Sequence, residues 1–186
     1  MKLLGETTVY SGWGRFKLLD VQMADGTVAK RQIEDHGEAA AVLPYDAERK
    51  VALLARQPRV GPLYAGLVPH MTEAAAGIID PGETGEGAVR REALEELGVR
   101  LDALEPVVVA WTTPGVCSER GHLFLAAYRA ADRVAAGGGL ASEAESIEVL
   151  ELPLAELARQ ADAGELTDLK TLALVLTLMR RRPDLF

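Results

Sequence analysis

The sequence predicts an α/β domain of layered strands and helices, preceded by a small antiparallel β meander. Two observations lead to this prediction. Short apolar runs bounded by turn residues recur over about the first 150 residues, and three segments show helical apolar spacing. Strands mixed with helices in this order are typical of a sheet covered by helices. With 186 residues, the chain is long enough for one main core and a small appendage.

Residues 1–38 form the predicted meander. Apolar stretches at 9–10, 16–21 and 28–33 alternate with turn residues, as they do in short antiparallel strands. Asp25-Gly26 lies between the second and third stretch, and glycine reaches a positive φ without steric cost. This dipeptide therefore predicts a hairpin turn.

Residues 39–186 are predicted to form the main domain. The runs at 39–43 and 51–54 are short, apolar and bounded by Pro44 and by Gln57-Pro58, which is typical of buried strands, whereas four glycines and prolines within 60–70 indicate a surface loop. Further strands are predicted at 74–79, 107–111, 122–128 and 147–152, and helices at 86–97, 154–163 and 167–181. Gly98 is the expected stop of the first helix, and a Thr or Asp cap is expected at the start of the last.

Composition and charge limit the function classes. Twenty-eight acidic against twenty basic residues give a formal charge of −8, which argues against a nucleic-acid partner, since such binding needs a basic surface. An acidic protein still binds phosphates when cations mediate the contact. The single cysteine, Cys117, cannot form an internal disulfide, and no apolar run is long enough to span a bilayer. A cytoplasmic location without membrane association is expected.

Three glutamates lie on one stripe of the helix predicted at 86–97. At about 100° per residue, Glu92, Glu95 and Glu96 fall within an arc of about 100°. Their mutual repulsion predicts a compensating cation, and hard carboxylate oxygens suit Mg²⁺ or Mn²⁺. A solvated acidic face with Arg90 and Arg91 as counter-charges is the alternative, and composition alone favours it.

The spacing around this helix resembles the Nudix box, G-x5-E-x7-R-E-U-x-E-E-x-G-U, in which U is an apolar residue. Residues 77–99 match every fixed position of the box, with Ala93 and Val99 at the apolar places. The resemblance implies a Nudix α/β/α sandwich with a mixed sheet. In that family the helix carboxylates bind divalent metals that hold a diphosphate.

The same resemblance implies roles for the residues of the box. Glu92, Glu95 and Glu96 would bind Mg²⁺, for which Mn²⁺ can substitute, and Glu96 would belong to the catalytic machinery. A backbone carbonyl at Ala76 or Gly77 would be a further ligand. Glu83 and Arg91 resemble an orienting pair that fixes carboxylate geometry, while Gly77 and Gly82 would allow tight backbone turns.

The flanking segments resemble the ADP-ribose pyrophosphatase and GDP-mannose hydrolase branch of the family. Pro114 lies fifteen positions beyond Val99, in a segment that continues to Glu119, a candidate substrate contact. Residues 137–149 resemble a loop of the branch whose acidic residues supply a catalytic base and metal contacts; the matching residues are Glu143 and Glu145. Residues 164–171 look most like the GDP-mannose hydrolases. As plain sequence, these segments also fit a Pro-Gly turn, a solvated loop and a helix start.

Two further features bear on substrate binding. Arg56 and Arg59 fit an arginine position of the branch that approaches the substrate phosphate, although loose basic residues at a strand end would look the same. The branch often has Arg before Gly where this chain has His36, which puts a base-contacting role of His36 in doubt.

The resemblance also implies a homodimer in which the meander of one subunit covers the other's site. Trp13, Tyr10 and Phe16 could then stack on a nucleobase, with Trp13 the candidate substrate contact; packing in a core or dimer interface is the commoner fate of such aromatics.

These features together predict a Mg²⁺-dependent hydrolase that cuts the pyrophosphate bond of a nucleoside diphosphate sugar, releasing a nucleoside monophosphate and a sugar phosphate. Two alternatives stay open: a noncatalytic nucleotide-sugar sensor, and a Nudix pyrophosphatase for another nucleoside diphosphate such as NADH. The box does not separate ADP-ribose from GDP-mannose, and it names neither the attacked phosphorus nor which of Glu143 and Glu145 is the base.

Overall fold

A computed structural model describes residues 1–140 and 146–186 of the chain. Over these residues the fold is mixed α/β, with the elements in the following order. The chain runs through β1 (Lys2–Ser11), β2 (Arg15–Gln22), β3 (Val28–Asp35), β4 (Ala39–Asp46), β5 (Val51–Pro58), α1 (Val60–Tyr64), β6 (His70–Glu73), β7 (Ala75–Ile78), α2 (Gly85–Leu97), β8 (Glu105–Trp111), β9 (Arg120–Ala127), β10 (Glu148–Pro153), α3 (Leu154–Ala163) and α4 (Leu169–Arg181).

The first three strands form a separate antiparallel sheet in the order β1-β2-β3. The turn between β2 and β3 is the one predicted at Asp25-Gly26. Gly26 has φ +88°, and Asp25 Oδ1 accepts hydrogen bonds from the backbone N–H of Thr27 at 3.0 Å and from its hydroxyl at 2.6 Å. The predicted meander is confirmed; the domain boundary at residue 38 stays a prediction, and β4 begins at Ala39.

The main sheet is mixed, and its strands β4 and β5 separate along most of their length. Its strand order is β10-β5-β4-β9-β8, with β4 and β9 parallel and the other neighbours antiparallel. Strands β4 and β5 pair with each other only at Tyr45 and Asp46. Beyond that point β7 pairs with β4 and β6 pairs with β5, so that the β6-β7 segment fills the gap. Residues 73–78 therefore lie between β4 and β5.

Both faces of the main sheet are buried at β4 and β5, which explains the continuous apolar runs of these two strands. Alternate residues of each strand belong to opposite cores. Leu43 and Leu54 pack in a core with α3 and α4, while Val42 and Leu53 pack in a second core with α2. All four side chains are fully buried. The α/β/α layering is therefore as predicted.

Helix α2 has clear signals at both ends. The Thr84 hydroxyl accepts a hydrogen bond from the Gly87 N–H at 3.1 Å, which caps the N-terminus. Gly98 ends the helix in the left-handed conformation, at φ +68°. A Cβ at Gly98 would lie 2.1 Å from the backbone oxygen of Ala135, so the position also requires the absence of a side chain.

We expect Gly98→Ala to lower the free energy of unfolding by about 3 kcal/mol or more, because left-handed strain adds to a clash with backbone that cannot move away. The melting temperature should fall by about 6–12 °C. Gly164 is a matched control, since it ends α3 at φ +71° with open space around it. Gly164→Ala should cost only about 1 kcal/mol. Equal shifts for the two variants in thermal unfolding would contradict the steric argument.

Most boundaries agree with the sequence prediction to within two residues. Helix α3 covers the predicted range, and Asp168 caps α4 by accepting the Thr171 N–H at 3.0 Å. The loop prediction for residues 60–70 was wrong in part, because Val60–Tyr64 form the short helix α1. No helix within the described residues has the length and apolar content needed to cross a bilayer.

Candidate functional site

A cavity of about 870 Å³ lies where β7, α2 and the small sheet meet. Its size is within the usual range of small-molecule sites. Of the residues that the sequence singled out, seven line it: Trp13, Arg59, Ala76, Gly77, Arg91, Glu92 and Glu119. His36, Asp80, Ser146 and Lys170 are also in its wall. Residues far apart in the chain therefore converge on one pocket.

Glu92 and Glu96 lie on the side of α2 that faces β7, and Glu92 lines the cavity. Glu92 is buried, and its Oε1 accepts a hydrogen bond from Arg91 Nη1 at 2.6 Å. The Oε2 of Glu95 accepts from the same nitrogen at 3.4 Å. Glu96 is 2% exposed, and its Oε2 accepts the backbone N–H of Ala76 at 3.1 Å. Glu92 and Glu96 are thus turned inward while Glu95 is partly exposed, so the stripe as a whole is not a solvated face.

Gly77 has a role other than the predicted tight turn. Its φ is not in the positive region, so no turn requires glycine here. A Cβ at this position would instead lie 1.7 Å from Glu92 Oε1 and 2.2 Å from Glu92 Cδ. The glycine therefore provides the space in which the carboxylate of Glu92 lies against β7. Gly82 does have a turn conformation, at φ +87°.

Arg91 connects the loop before α2 to its carboxylates. Its Nε and Nη2 donate to the two oxygens of Glu83 at 3.3 and 3.0 Å, and Nη2 also donates to the Ile78 carbonyl at 3.1 Å. The hydrogen bonds from Arg91 lower the pKa of Glu83. The same guanidinium also contacts Glu92, so Arg91 connects Glu83 to the Glu92 carboxylate.

A second charged group, which the sequence did not reveal, lies on another wall of the cavity. Glu73 is buried, and it accepts two hydrogen bonds from Arg59, at 2.8 and 2.9 Å, and one from Lys170 at 2.6 Å. Burial opposes ionisation of Glu73, but the contacts with Arg59 and Lys170 outweigh it and lower its pKa. Glu73 therefore fixes two cations at the cavity wall.

Lys170 offered one signal that sequence reasoning passed over. It is the second residue of α4, where the helix dipole disfavours a positive charge. Its Nζ also bonds Asp168 at 3.1 Å, and that residue caps the helix. A lysine at a helix start is thus held in place by acidic partners.

We expect Glu73→Gln to destabilise the protein at pH 7 by about 2–4 kcal/mol, because it leaves two cations without their buried partner. The sign with pH follows from the lowered pKa. The contribution of Glu73 is present above the ordinary carboxyl pKa of about 4.3 and is lost as the pH falls through its lower folded value. The gap between wild type and variant should therefore shrink in urea unfolding at pH 3. The control is Glu156→Gln, which removes an exposed pair with Arg159 and should change the free energy of unfolding little. A stability difference between wild type and Glu73→Gln that does not depend on pH would contradict the role of ionised Glu73.

The opposite wall of the cavity is aromatic and comes from the small sheet. Trp13 is 77% exposed, and its ring lies 4.8 Å from the ring of His36. His36 Nε2 and Glu119 Oε2 are 2.7 Å apart. Tyr10 is also exposed, so neither it nor Trp13 packs in the core of this chain.

The remaining candidates lie outside the cavity wall or outside the described residues. Arg56 is not in the wall, and its Nη1 donates to Glu148 Oε2 at 3.2 Å across the β5-β10 pair. Its role at a phosphate stays a prediction. Glu143 and Glu145 lie outside the described residues. Ser146, the next residue described, lines the cavity.

Comparisons with known proteins agree with this arrangement. The NUDIX domain model matches residues 35–174. The chain is 42% identical to the GDP-mannose pyrophosphatase of Cronobacter sakazakii over 87% of this chain and 85% of that protein. It is 37% identical to the one of Salmonella arizonae (78% and 75% covered) and 36% identical to one from Escherichia coli (84% and 82% covered).

A solved structure described as an ADP compounds hydrolase superposes with a TM-score of 0.78 over 98% of this chain and 94% of that one. Its sequence identity is 18%, so it supports the fold alone.

Proposed function

The chain belongs to the Nudix family, and from this membership we propose that it hydrolyses the pyrophosphate bond of a GDP-mannose-type nucleoside diphosphate sugar. The products would be a nucleoside monophosphate and a sugar phosphate. One observation carries the proposal: Glu92 and Glu96 are buried against β7, Glu95 contacts the same arginine as Glu92, and the cavity that Glu92 lines also presents Arg59 and Lys170. Such a site binds a metal ion and an anion together.

The donor set of α2 fits a hard divalent cation such as Mg²⁺. Three carboxylates lie on one side of the helix, and the Gly77 backbone leaves room for one of them. Glu92, Glu95 and Glu96 would hold the ion, with the Ala76 or Gly77 carbonyl as a further candidate. When bound, the ion supplies Lewis-acid polarisation of the diphosphate oxygens. Mn²⁺ offers the same preference for oxygen ligands.

The chain's own residues would orient the groups and balance charge. Arg91 is held by Glu83 and by the Ile78 carbonyl, so the Glu92 carboxylate that it contacts has few alternative positions. Arg59 and Lys170 are held by Glu73 at the cavity wall and would attract the diphosphate. We assign the base to Glu143 or Glu145, and the position of Ser146 in the cavity wall supports this. The exposed Trp13 would stack on the nucleobase.

The names of the relatives favour GDP-mannose over ADP-ribose as the substrate. A panel of GDP-mannose, ADP-ribose and NADH, assayed with Mg²⁺ for released nucleoside monophosphate, tests this directly. We expect GDP-mannose to give the highest kcat/KM and to release GMP. Turnover of NADH alone would assign another Nudix activity, and binding of GDP-mannose without any release of GMP would favour a sensor.

We further propose that the active form is a homodimer joined through the small sheet. Large apolar side chains are exposed on β1 and beside it, including Leu3, Val9, Tyr10 and Trp13. Several large apolar side chains exposed on one sheet are typical of a protein–protein interface. Sedimentation analysis should show a dimer, and a monomer at all concentrations would contradict the proposal. The cytoplasmic location stays a prediction of the sequence.

A further inference from the structure

Three residues with metal-ligating side chains meet where the small sheet contacts the main domain. Glu34 is near the end of β3, His36 follows it, and Cys117 lies between β8 and β9; one ligand atom from each lies within 4.8 Å of the others. The two segments are already joined by backbone hydrogen bonds. Glu34 N–H donates to the Val116 carbonyl at 2.8 Å, and Ser118 N–H donates to the Glu34 carbonyl at 2.9 Å. The cluster therefore rests on a fixed scaffold.

His36 has an unsatisfied nitrogen that points into this cluster. Its side chain is nine-tenths buried. The Nε2 lies 2.7 Å from a Glu119 carboxylate oxygen, which can only accept, so Nε2 carries the hydrogen. In the neutral ring the lone pair is then on Nδ1. Among residues 1–140 and 146–186, Nδ1 of His36 is the one buried side-chain nitrogen or oxygen without a hydrogen-bond partner.

Nδ1 faces a carboxylate instead of a donor. It is 3.5 Å from Glu34 Oε1, which is long for a hydrogen bond. In a tetrahedral Zn²⁺ site, bonds of about 2.0–2.2 Å put nitrogen and oxygen ligands about 3.4 Å apart. The observed separation fits two ligands of one cation better than it fits a direct hydrogen bond.

Glu119 contacts two of the three candidate ligands, His36 and Cys117. Its carboxylate accepts from His36 Nε2, and its backbone N–H donates to Cys117 Sγ at 3.4 Å. Metal-bound histidines usually donate their second N–H to such a carboxylate. Glu34 is half exposed, so its side chain can move to complete the geometry.

We propose that Glu34, His36 and Cys117 bind one Zn²⁺-class transition-metal ion, at a site separate from the carboxylates of α2. Sulfur and imidazole ligands favour Zn²⁺ or Co²⁺ over Mg²⁺, whereas the three glutamates of α2 favour Mg²⁺. The ion links the end of β3 to the segment that carries Glu119. It therefore fixes the aromatic wall of the cavity, where Trp13 lies against His36.

Co²⁺ titration in excess Mg²⁺ tests the site by its spectrum. Cys117 is the single cysteine of the chain, so thiolate-to-cobalt charge-transfer absorption reports on this site alone. We expect one equivalent of Co²⁺ to produce the band and Zn²⁺ to displace it. No charge-transfer band in the wild type overturns the proposal, whatever the hydrolase activity proves to be.

Variants test the individual ligands. Glu119→Gln should weaken Co²⁺ binding by about 10–100-fold through loss of an outer partner, and His36→Gln should weaken it more. Glu34→Gln changes an exposed residue, so it should keep the fold and still weaken binding. Glu95→Gln, which removes a carboxylate of α2, is the matched control and should leave the band unchanged. Wild-type affinity in both His36→Gln and Glu34→Gln overturns the assignment.

Discussion

Replacing Glu96 with glutamine is expected to lower Mg²⁺-dependent kcat by about 10³-fold while the protein stays folded. The side chain is 2% exposed, and its Oε2 accepts the Ala76 N–H at 3.1 Å. Glutamine has nearly the same volume, and its carbonyl oxygen can accept that hydrogen bond. The change therefore removes one negative charge from the proposed cation site while keeping the side-chain volume, and loss of a charge that stabilises the transition state costs about this factor.

Glu86→Gln is the matched control on the same helix. Glu86 is exposed, and its carboxylate pairs with Arg90 at 3.4 Å, away from the other three glutamates. Release of nucleoside monophosphate should be unchanged in this variant, and both variants should melt close to the wild type. Full activity in Glu96→Gln would refute the assignment of α2 as the cation site.

The second large effect is expected for Gly77→Ala, in which activity and stability should separate. The added Cβ would lie 1.7 Å from Glu92 Oε1, so the carboxylate must leave its place beside β7. This atom is the end of a flexible side chain, and φ at Gly77 is not positive, so the backbone tolerates alanine. We expect a change in melting temperature of at most about 4 °C. In contrast, kcat/KM should fall by about 10²-fold, and the Mg²⁺ concentration for half-maximal activity should rise by about 10-fold or more.

Gly61→Ala is the control, because Gly61 lies in the short helix α1 without a positive φ and has nothing within 4 Å of an added Cβ. Its activity and Mg²⁺ requirement should equal those of the wild type. If Gly77→Ala kept the Mg²⁺ requirement of the wild type, the proposed position of Glu92 at the cation would be wrong. If Gly77→Ala unfolded instead, glycine at this position would be required for packing of the fold.

The local part of the candidate site could be predicted from the sequence because its residues are close in the chain. Glu83, Arg91 and Glu92 lie within ten positions, and the helix period alone places the glutamates on one side. The loop at residues 60–70 shows the limit of such reasoning, because glycine and proline there do not prevent the short helix α1.

Gly77 shows a second limit. The sequence predicts a tight turn at Gly77. The structure gives another reason for glycine, because a Cβ there would collide with Glu92, fifteen residues further on. Glu73 and Lys170 are nearly a hundred positions apart, so the sequence does not indicate that they form a pair. Buried charge pairs of this kind depend on which elements pack together, and no local pattern encodes them.

The sequence by itself determined the family, most of the strands and helices, and the placement of Glu92, Glu95 and Glu96 on one stripe, because motif spacing and helical periodicity are local properties of the chain. Only the tertiary structure decided which charges meet: Arg59 and Lys170 on Glu73, and His36 beside Glu34 and Cys117. The physical reason is that burial and charge pairing depend on distance in space. The separation of β4 from β5, with β6 and β7 between them, sets the distances around Glu73. The contact of the small sheet with residues 116–118 sets the distances around His36.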